Sequence, residues 1–557
     1  MKVFSNFSAL RAASLTAGQQ VTTKGWHEPG DGGNALYLIK TAAEYGGSPD
    51  NYGDGLLANG NVAVLQTEGS VNVKQFGATG DYNTGTQTGT DNRAAFEAAA
   101  AWVDAYGDGT LIISDGDYLL GNSWNIMYSN FNLVITPDAT VRVNAATSRG
   151  HCLAFASPGA VAGTGYGTTQ IENISISGGG TVIAEDLGGG DNENAIAFVD
   201  CKNFRCDGMN IPTANHKAIT AQINVQNGWI TNNHIGTACV GGKSGTSAIS
   251  VQGSFDVVDA ALPIENIYIE NNLIESASST GNGIYAIQSF STVARDVVIK
   301  NNIIRSCGGS GVEVRGFARP VVLDNYSVGG QGVIFRDCYK IKANVHCDNV
   351  DNFGLHILTF SDADAQGFHI GEVRVGTSCG QDAVRITSVK GGGYIEKVVV
   401  TSTNHESIYR VVGSTLTDKV LIPGGLVGTD GSVSRVNVPS NAYYPWLPIE
   451  TIENSNGIAV KYPDGTMICT RDVDYDFTTA TNALIDMPAT FTSNANAAIS
   501  FQNTSTGGRV AAFVGTCVMA STNQWRVANT VTQAETLQVR LVATGRWRDV
   551  ETWDAPV

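Results

Sequence analysis

The residues best suited to chemistry form a column of polar and aromatic side chains in the middle of the chain. One strand per repeat can be aligned by its first inward apolar residue, and the next residue then faces outward, because side chains alternate along a strand. The aligned inward positions are Ile196, Ile219, Ile249, Ile284, Val312, Val333, Leu355, Val384 and Ile408. The outward column is Thr220, Ser250, Tyr285, Glu313, Ile334, His356, Arg385 and Tyr409. A second outward column, two residues further on, holds Gln222, Gln252, Arg315, Arg336 and Thr387.

A carboxylate in this column suits acid–base cleavage of a glycosidic bond, which needs two carboxyl groups. Glu313 is the only carboxylate of the outward column and is therefore the first catalytic candidate. Asp256 and Asp259, in the long loop 253–263, are the predicted catalytic partners. The next bend and the loop 361–367 offer further partners, namely Asp337, Asp362 and Asp364.

The rest of the column predicts a surface that binds a polymer. Aromatic rings stack on the apolar faces of sugar rings, and arginine pairs with the carboxylates of acidic sugars. The predicted binding residues are Tyr285, Arg315, Arg336, His356, Arg385 and Tyr409. The same residues leave β-elimination open, with Tyr285 or His356 as the base and Arg315 or Arg385 holding the uronate carboxylate. We expect no metal or other cofactor.

A recurring phrase indicates the elements that position this column. A pair of asparagines between short apolar runs occurs at Asn232-Asn233, Asn271-Asn272 and Asn301-Asn302. Such a phrase predicts two strands that meet at a bend, and asparagine suits the bend because it tolerates left-handed backbone. Recurrence every few tens of residues predicts stacked coils. The sequence therefore predicts a parallel β-helix.

The pattern along the chain predicts an all-β protein of several parts. Residues 1–70 form a small N-terminal module, and residues 71–412 form a right-handed parallel β-helix whose open end is covered by a helix at 91–105. Residues 413–448 are a predicted linker. Residues 449–557 alternate in the manner of a C-terminal antiparallel β-sandwich that serves trimerisation or glycan binding.

Composition excludes several classes of function. The net charge is −17, which argues against nucleic acid as a partner because phosphate binding needs a basic surface. The N-terminus has no apolar signal segment and no apolar run approaches ~20 residues, so we expect neither secretion through a signal peptide nor membrane insertion. The ten cysteines are scattered without a CxxC pair, which predicts reduced thiols and no zinc site.

Three segments resemble known protein families. Residues 71–120 resemble the opening of the pectate-lyase-like β-helix domain, with VNVKQFGATGD, TDNRAAFEAAAAW and GTLIISDGDYLL. Residues 21–66, with VTTKGWHEPGDGGNALYLI and NGNVAVLQ, resemble a small module near the front of bacteriophage tailspikes. Residues 461–469 and 545–547 are similar to terminal domains of phage tail fibres and spikes. No catalytic motif of these families is present in the coils.

The resemblance implies a homotrimeric spike of the virion, assembled in the host cytoplasm, that binds and usually cleaves a bacterial surface polysaccharide. It would attach to the phage tail directly or through an adaptor protein. Three functions remain open: an endo-acting hydrolase, which we favour, a lyase that acts on a uronic-acid glycan, and a receptor-binding spike without catalysis.

Overall fold

The computed structural model describes most of the chain in two compact units. The positions outside the described residues are 108, 144–150, 163–165, 167–168, 185–193, 241–245, 254–261, 279, 289–293, 359–366, 388–392, 402–406, 413–419, 422–425, 429–435, 438–449, 462–465, 477–481, 492–495, 502–514, 522, 530–535 and 547–557. One unit comprises residues 1–391, 398–417 and 427–439. The other comprises residues 392–397, 418–426 and 440–557.

The N-terminal module is a small mixed sheet around an aromatic core. Its strands are Lys2–Phe4, Gln20–Thr23, Leu36–Lys40, Gly55–Leu56 and Val62–Gln66, and its helices are Phe7–Arg11 and Ala42–Tyr45. The first two strands pair in parallel and the others pair antiparallel. The Phe7 ring stacks on Tyr37 at 5.6 Å and on Trp26 at 5.5 Å between ring centroids. The small N-terminal module that the sequence predicts is confirmed.

The middle of the chain is a parallel β-helix with three strands in a full coil, which we call rows A, B and C. Row A comprises Ser70–Asn72, Gly109–Ile113, Phe131–Ile135, Ile171–Ser177, Cys201–Asp207, Val225–Thr231, Ile264–Glu270, Ala294–Lys300, Val321–Val328, Ile341–Asp348 and Phe368–Val375. Row B comprises Gly116–Leu120, Ala139–Val143, Thr181–Ile183, Asn210–Ala214, His234–Ala238, Leu273–Ala277 and Ile303–Ile304. Row C comprises Trp124–Ile126, His151–Ala156, Asn194–Val199, Ile219–Gln222, Ser247–Gln252, Asn282–Ile287, Ser310–Arg315, Gln331–Arg336, Phe353–Leu358, Asp382–Thr387, Ser407–Val412 and Val436–Asn437.

Row C has the register that the apolar alternation predicts over most of its length. Each inward residue from Ile196 to Val384 is the Cα partner of the next one. All of these inward side chains are at most 3% exposed, so they form the core of the coils. The parallel pairing continues into the predicted linker, where Val436 is the Cα partner of Tyr409.

Asparagines at the corner between rows A and B tie the coils together. The first asparagine of each pair has left-handed backbone, as predicted, with φ of 58° at Asn271. The second one lies inside the helix, where Asn272 Nδ2 donates to Asn302 Oδ1 at 2.9 Å and Asn272 Oδ1 accepts from Asn233 Nδ2 at 2.9 Å. Asn325 continues this ladder at 2.8 Å from Asn302. The ladder satisfies polar groups that burial would otherwise leave without partners.

A helix, Arg93–Tyr106, packs on the first coil, where the sequence predicts a cap. Its Phe96 ring lies 5.6 Å from Tyr118 and 5.2 Å from Trp124, both in that coil. The helix begins two residues later than the sequence indicates, because Asn92 is the N-cap residue. Asp91 instead accepts a hydrogen bond from the Arg93 N–H at 3.0 Å. The remaining helices of this unit are the 3₁₀ turn Val73–Phe76 and the short helix Pro158–Ala162.

The second unit contains two antiparallel sheets, as predicted for a β-sandwich. One sheet comprises Glu450–Asn454, Gly457–Lys461, Thr466–Asp476, Asn496–Phe501 and Thr536–Arg546. The other comprises Asn482–Asp486, Gly515–Ser521 and Gln524–Asn529. Met467 of the first sheet and Trp525 of the second are fully buried in one shared core. Short strands Gly393–Val400, Val420–Leu421 and Leu426–Gly428 complete the described elements.

The cysteine side chains are reduced and buried in the described part of the chain. Nine cysteines in the described part of the chain are free thiols and buried. Burial raises the pKa of the Cys152 thiol to about 12, so it stays protonated. Over the same described residues, the helices are too short or too polar to cross a membrane.

Candidate functional site

The predicted outward column of row C stacks as the sequence indicates, except at its end. Tyr285 is the Cα partner of Glu313, and His356 is the partner of Arg385. Ile334 lies between these pairs and is 1% exposed. The predicted register of Tyr409 is wrong by one residue. The Cα partner of Arg385 is Arg410, whereas Tyr409 pairs with Val384 of the inward column.

Glu313 lies at the centre of a cluster of polar side chains. Its Oε1 atom is 2.8 Å from Nε of Arg336 on the next coil, in an ion pair. The Ser310 hydroxyl group donates a hydrogen bond to the same carboxyl group. Although the position faces outward as predicted, Glu313 is only 8% exposed. The expectation of an exposed position is therefore corrected, because long side chains of neighbouring coils cover the carboxyl group.

Two opposing effects of the surroundings determine the pKa of Glu313. Burial raises the pKa of Glu313, since a desolvated carboxylate is less stable than the neutral acid. Arg336 and Arg315 favour the ionised form and limit the rise, but the net pKa lies above the ordinary value. A carboxyl group with a raised pKa keeps its proton at a pH at which an ordinary carboxyl group has lost it. It can therefore act as a proton donor.

Tyr285 and Arg315 form one side of this cluster. Arg315 makes a side-chain hydrogen bond with Tyr285. Its Nε atom is also 4.0 Å from Oδ2 of Asp337, which lies at the bend after the Arg336 strand. Burial, together with the charge of Glu313, raises the pKa of the Tyr285 phenol. Arg315 thus links the tyrosine to a second carboxylate on the coil that carries Arg336.

His356 and Arg385 form the other side, around an aromatic ring that the sequence reasoning missed. The Phe353 ring lies 4.7 Å from the His356 ring, edge to face, and 4.8 Å from the Arg385 guanidinium carbon. His356 Nε2 is 3.0 Å from Thr387 Oγ1. Burial and the nearby Arg385 and Arg336 lower the pKa of His356 to about 4, so the ring is neutral at pH 7. Phe353 precedes the aligned inward residue of its strand by two positions, where alternation alone assigns it to the interior.

Several predicted residues stay predictions. Asp256, Asp259, Asp362 and Asp364 lie outside the described residues, as does the side chain of Tyr409. Of the carboxylates predicted as partners of Glu313, Asp337 is the one within the described part of the chain, with its side chain 15% exposed. In that part of the chain, no group of three or more His, Cys, Asp or Glu side chains is arranged to hold a metal ion.

Comparison with known proteins gives structural matches only. No protein-family model matches the chain, and no curated protein matches it. A tailspike protein variant of Escherichia coli bacteriophage HK620, solved in complex with a pentasaccharide, matches with a TM-score of 0.50 at 13% identity. The match covers 87% of this chain and 96% of that one. The chain has the parallel β-helix fold of a phage tailspike.

Two further matches have lower scores. The tailspike gp49 of Acinetobacter baumannii bacteriophage Fri1, a capsular polysaccharide depolymerase, covers 98% of both chains with a TM-score of 0.46 and 12% identity. The A-module of the mannuronan C-5 epimerase AlgE4 of Azotobacter vinelandii covers 66% of this chain and all of its own, with a TM-score of 0.44 and 14% identity. The stacked parallel strands of the structure itself confirm the fold class predicted from the sequence.

Proposed function

We propose that this protein is a phage tailspike that binds a bacterial surface polysaccharide, a capsule or an O-antigen, and cleaves it by endo-glycosidic hydrolysis. One observation carries the proposal. Glu313 is a buried carboxyl group with a raised pKa, and it stands on the outward face of the coils between arginines and an aromatic ring. The HK620 tailspike fold, solved with an oligosaccharide, supports the assignment of a sugar polymer as the substrate.

In this proposal Glu313 is the general acid. It gives its proton to the glycosidic oxygen, and a second carboxylate activates water or attacks the sugar. Asp337 is the partner that the contacts favour, because Arg315 joins it to the Tyr285 side of the cluster. Asp256 and Asp259 remain candidates for the same role. Arg336 holds the Glu313 carboxylate between turnovers, and an acidic group of the glycan that engages Arg336 would raise the pKa of Glu313 further.

The remaining residues of the face would position the polymer. Tyr285 and Phe353 offer ring faces for sugar stacking. Arg315, Arg336 and Arg385 can pair with acidic substituents, and Arg385 is prealigned by its contact with the Phe353 ring. His356, as a neutral ring, can donate or accept one hydrogen bond with a sugar hydroxyl. Tyr409 is not part of this proposed face, because its backbone pairs with Val384 of the inward column.

The state of His356 favours a second candidate function, a lyase. A neutral imidazole beside two arginines could remove the proton next to a uronate carboxylate, and the arginines would stabilise the charge that develops there. A lyase creates an unsaturated sugar that absorbs ultraviolet light, whereas a hydrolase does not. The two functions therefore differ in a single optical measurement on the digest.

We also propose that the protein is a homotrimer that attaches to the virion tail, directly or through an adaptor. Large apolar side chains on rows A and B support a subunit contact. Trp229 is 39% exposed and stacks on Tyr268, while Ile303 is 44% and Tyr326 is 41% exposed. Patches of this kind mark interaction surfaces.

The experiment that tests the hydrolase is digestion of a panel of purified capsules and O-antigens, followed by size-exclusion chromatography. We expect one polysaccharide to be shortened by the wild type. Asp337→Asn should slow the reaction if Asp337 is the second carboxylate, and Asp324→Asn, at an exposed bend between rows A and B, is the matched control. Binding of a polysaccharide without shortening would support the non-catalytic spike instead.

A further inference from the structure

Lys217 is a buried cation that the proposed catalytic cluster does not use. It stands two residues before the row C strand Ile219–Gln222 and is 6% exposed. Its Nζ atom donates one hydrogen bond, to Gln252 Oε1 on the next coil at 2.8 Å. Among the described residues, no carboxylate lies within ion-pair distance of this ammonium group. An ammonium group has three donors, and its burial without an anion is unfavourable.

Other polar atoms around Lys217 also lack partners. Thr220 and Ser250 are Cα partners on the two coils that the Lys217–Gln252 hydrogen bond joins. Both are fully buried, and within the described part of the chain neither hydroxyl oxygen has a hydrogen-bond partner. Buried polar atoms in folded proteins are nearly always paired with protein, water or a ligand.

Gln288 is a further buried polar side chain of this region, and it packs against the backbone of Gly253. The Gln288 side chain is 3% exposed, and among the residues that the structure describes neither its amide nitrogen nor its amide oxygen has a partner. It lies against Gly253, where an added Cβ would be 1.3 Å from Gln288 Oε1. A residue with a Cβ atom at position 253, directly after Gln252, would displace the Gln288 amide from this position.

The polar groups around Lys217 carry a net positive charge. Burial lowers the pKa of Lys217 to about 8, so the ammonium form still predominates at pH 7. His151, which contacts Gln222 at 3.3 Å, has its pKa lowered by burial to about 4 and is neutral. The available hydrogen-bond donors are one ammonium, two hydroxyl groups and one amide. Such a set matches an oxyanion such as a carboxylate.

We propose that Lys217 marks a second binding site on the row C face, which takes a carboxylate carried by the glycan. The identity of the ligand rests on the proposed function. The coils that carry Ser250, Tyr285 and Glu313 are successive, so the two sites lie roughly 10 Å apart, about two sugar units. The polymer that reaches Glu313 would then carry an acidic sugar about two units from the cleaved bond.

The test measures thermal unfolding with sodium glucuronate, sodium acetate or neutral glucose at matched ionic strength. The variants are Lys217→Met, which keeps the stem, and the control Lys202→Met, which removes an exposed lysine paired with Glu172. We expect glucuronate to raise the midpoint of the wild type and of Lys202→Met but not of Lys217→Met, with no effect of glucose. Acetate acting as strongly as glucuronate would overturn the assignment to the glycan in favour of a free anion. No shift in the wild type would overturn the site itself.

Two further measurements keep the proposal testable if Lys217→Met is poorly folded. Ser250→Ala removes a hydroxyl group that has no partner, so it should leave the midpoint without ligand unchanged and reduce the glucuronate shift. If Lys217→Met folds but is less stable than the wild type without ligand, the lysine is a structural tie and the proposal is wrong. A chain that cleaves a polysaccharide but ignores glucuronate would overturn only this site. A glucuronate shift through Lys217 without any cleavage would overturn only the proposed function.

Discussion

Replacement of Glu313 by glutamine removes the proposed acid and keeps the shape of the side chain. Loss of a general acid should lower the rate of cleavage by at least ~10²-fold, which corresponds to about 2.7 kcal/mol of transition-state stabilisation. The contact with Arg336 loses its charge, yet the glutamine oxygen can still accept a hydrogen bond from the guanidinium group. Because Glu313 is buried, we expect a loss of about 1 kcal/mol in the free energy of unfolding rather than none.

The matched control is Glu265→Gln. Glu265 makes the same kind of contact between adjacent coils, with its Oε2 atom 2.6 Å from Nε of Arg295, but it lies on row A. The Glu265 pair is more exposed, so Glu265→Gln should lose less stability than Glu313→Gln and should keep full activity. The assay counts new reducing ends in a polysaccharide digest at equal concentrations of folded protein.

The pH dependence of the same reaction is a second readout. A general acid is active only while protonated, and the pKa of Glu313 lies above its ordinary value of 4.5. The wild-type rate should fall as the pH rises through that raised pKa, and the residual rate of Glu313→Gln should lack this descent. Full activity of Glu313→Gln, or an equal loss in Glu265→Gln, would refute the assignment of Glu313 as the acid.

Further predictions concern stability and assembly. His151 and His356 have folded-state pKa values of about 4, against 6.5 in the unfolded chain. Between these two pH values the unfolded chain binds more protons, so the free energy of unfolding should decrease as the pH falls from 6.5 to 4. The variant His356→Gln should show a weaker dependence on pH. Asn272→Ala leaves the partners of four hydrogen bonds buried, and we expect a loss of roughly 3 kcal/mol in denaturant unfolding, against no change if the ladder is dispensable. Dithiothreitol should leave the melting temperature unchanged, because the nine described cysteines are free, and a large drop would reveal a disulfide. Light scattering should give three times the chain mass of 58.5 kDa, and a stable monomer would contradict the trimer.

The strand register was predictable where one phase of the alternation is clearly apolar. In the strand that contains Val312 and Val314, the intervening Glu313 fixes which residues face inward. The strand Ser407–Val412 has apolar residues in both phases, so alternation cannot distinguish Ile408 from Tyr409 as the inward residue. This ambiguity explains the shifted register at the end of the column.

Burial of the polar residues was not predictable from the same pattern. Alternation gives the direction of the Glu313 side chain, but its accessibility depends on how Tyr285 and Arg336 reach across neighbouring coils. Lys217 escaped notice because it precedes its strand, where alternation does not apply, and because its contact with Gln252 joins two adjacent coils. The asparagine ladder was predicted as a set of bends, while Asn325 was missed because an aspartate, Asp324, occupies the first position of its pair.

The central claim is that this chain hydrolyses the polysaccharide that it binds. Its most direct test is mass spectrometry of the oligosaccharides released from the one polysaccharide, within a capsule and O-antigen panel, to which the protein binds. The account predicts fragments of defined length, each heavier by one water than the repeat units it contains and without ultraviolet absorbance from an unsaturated sugar. An intact polymer after prolonged incubation with bound, folded protein would contradict it, as would fragments that lack the added water.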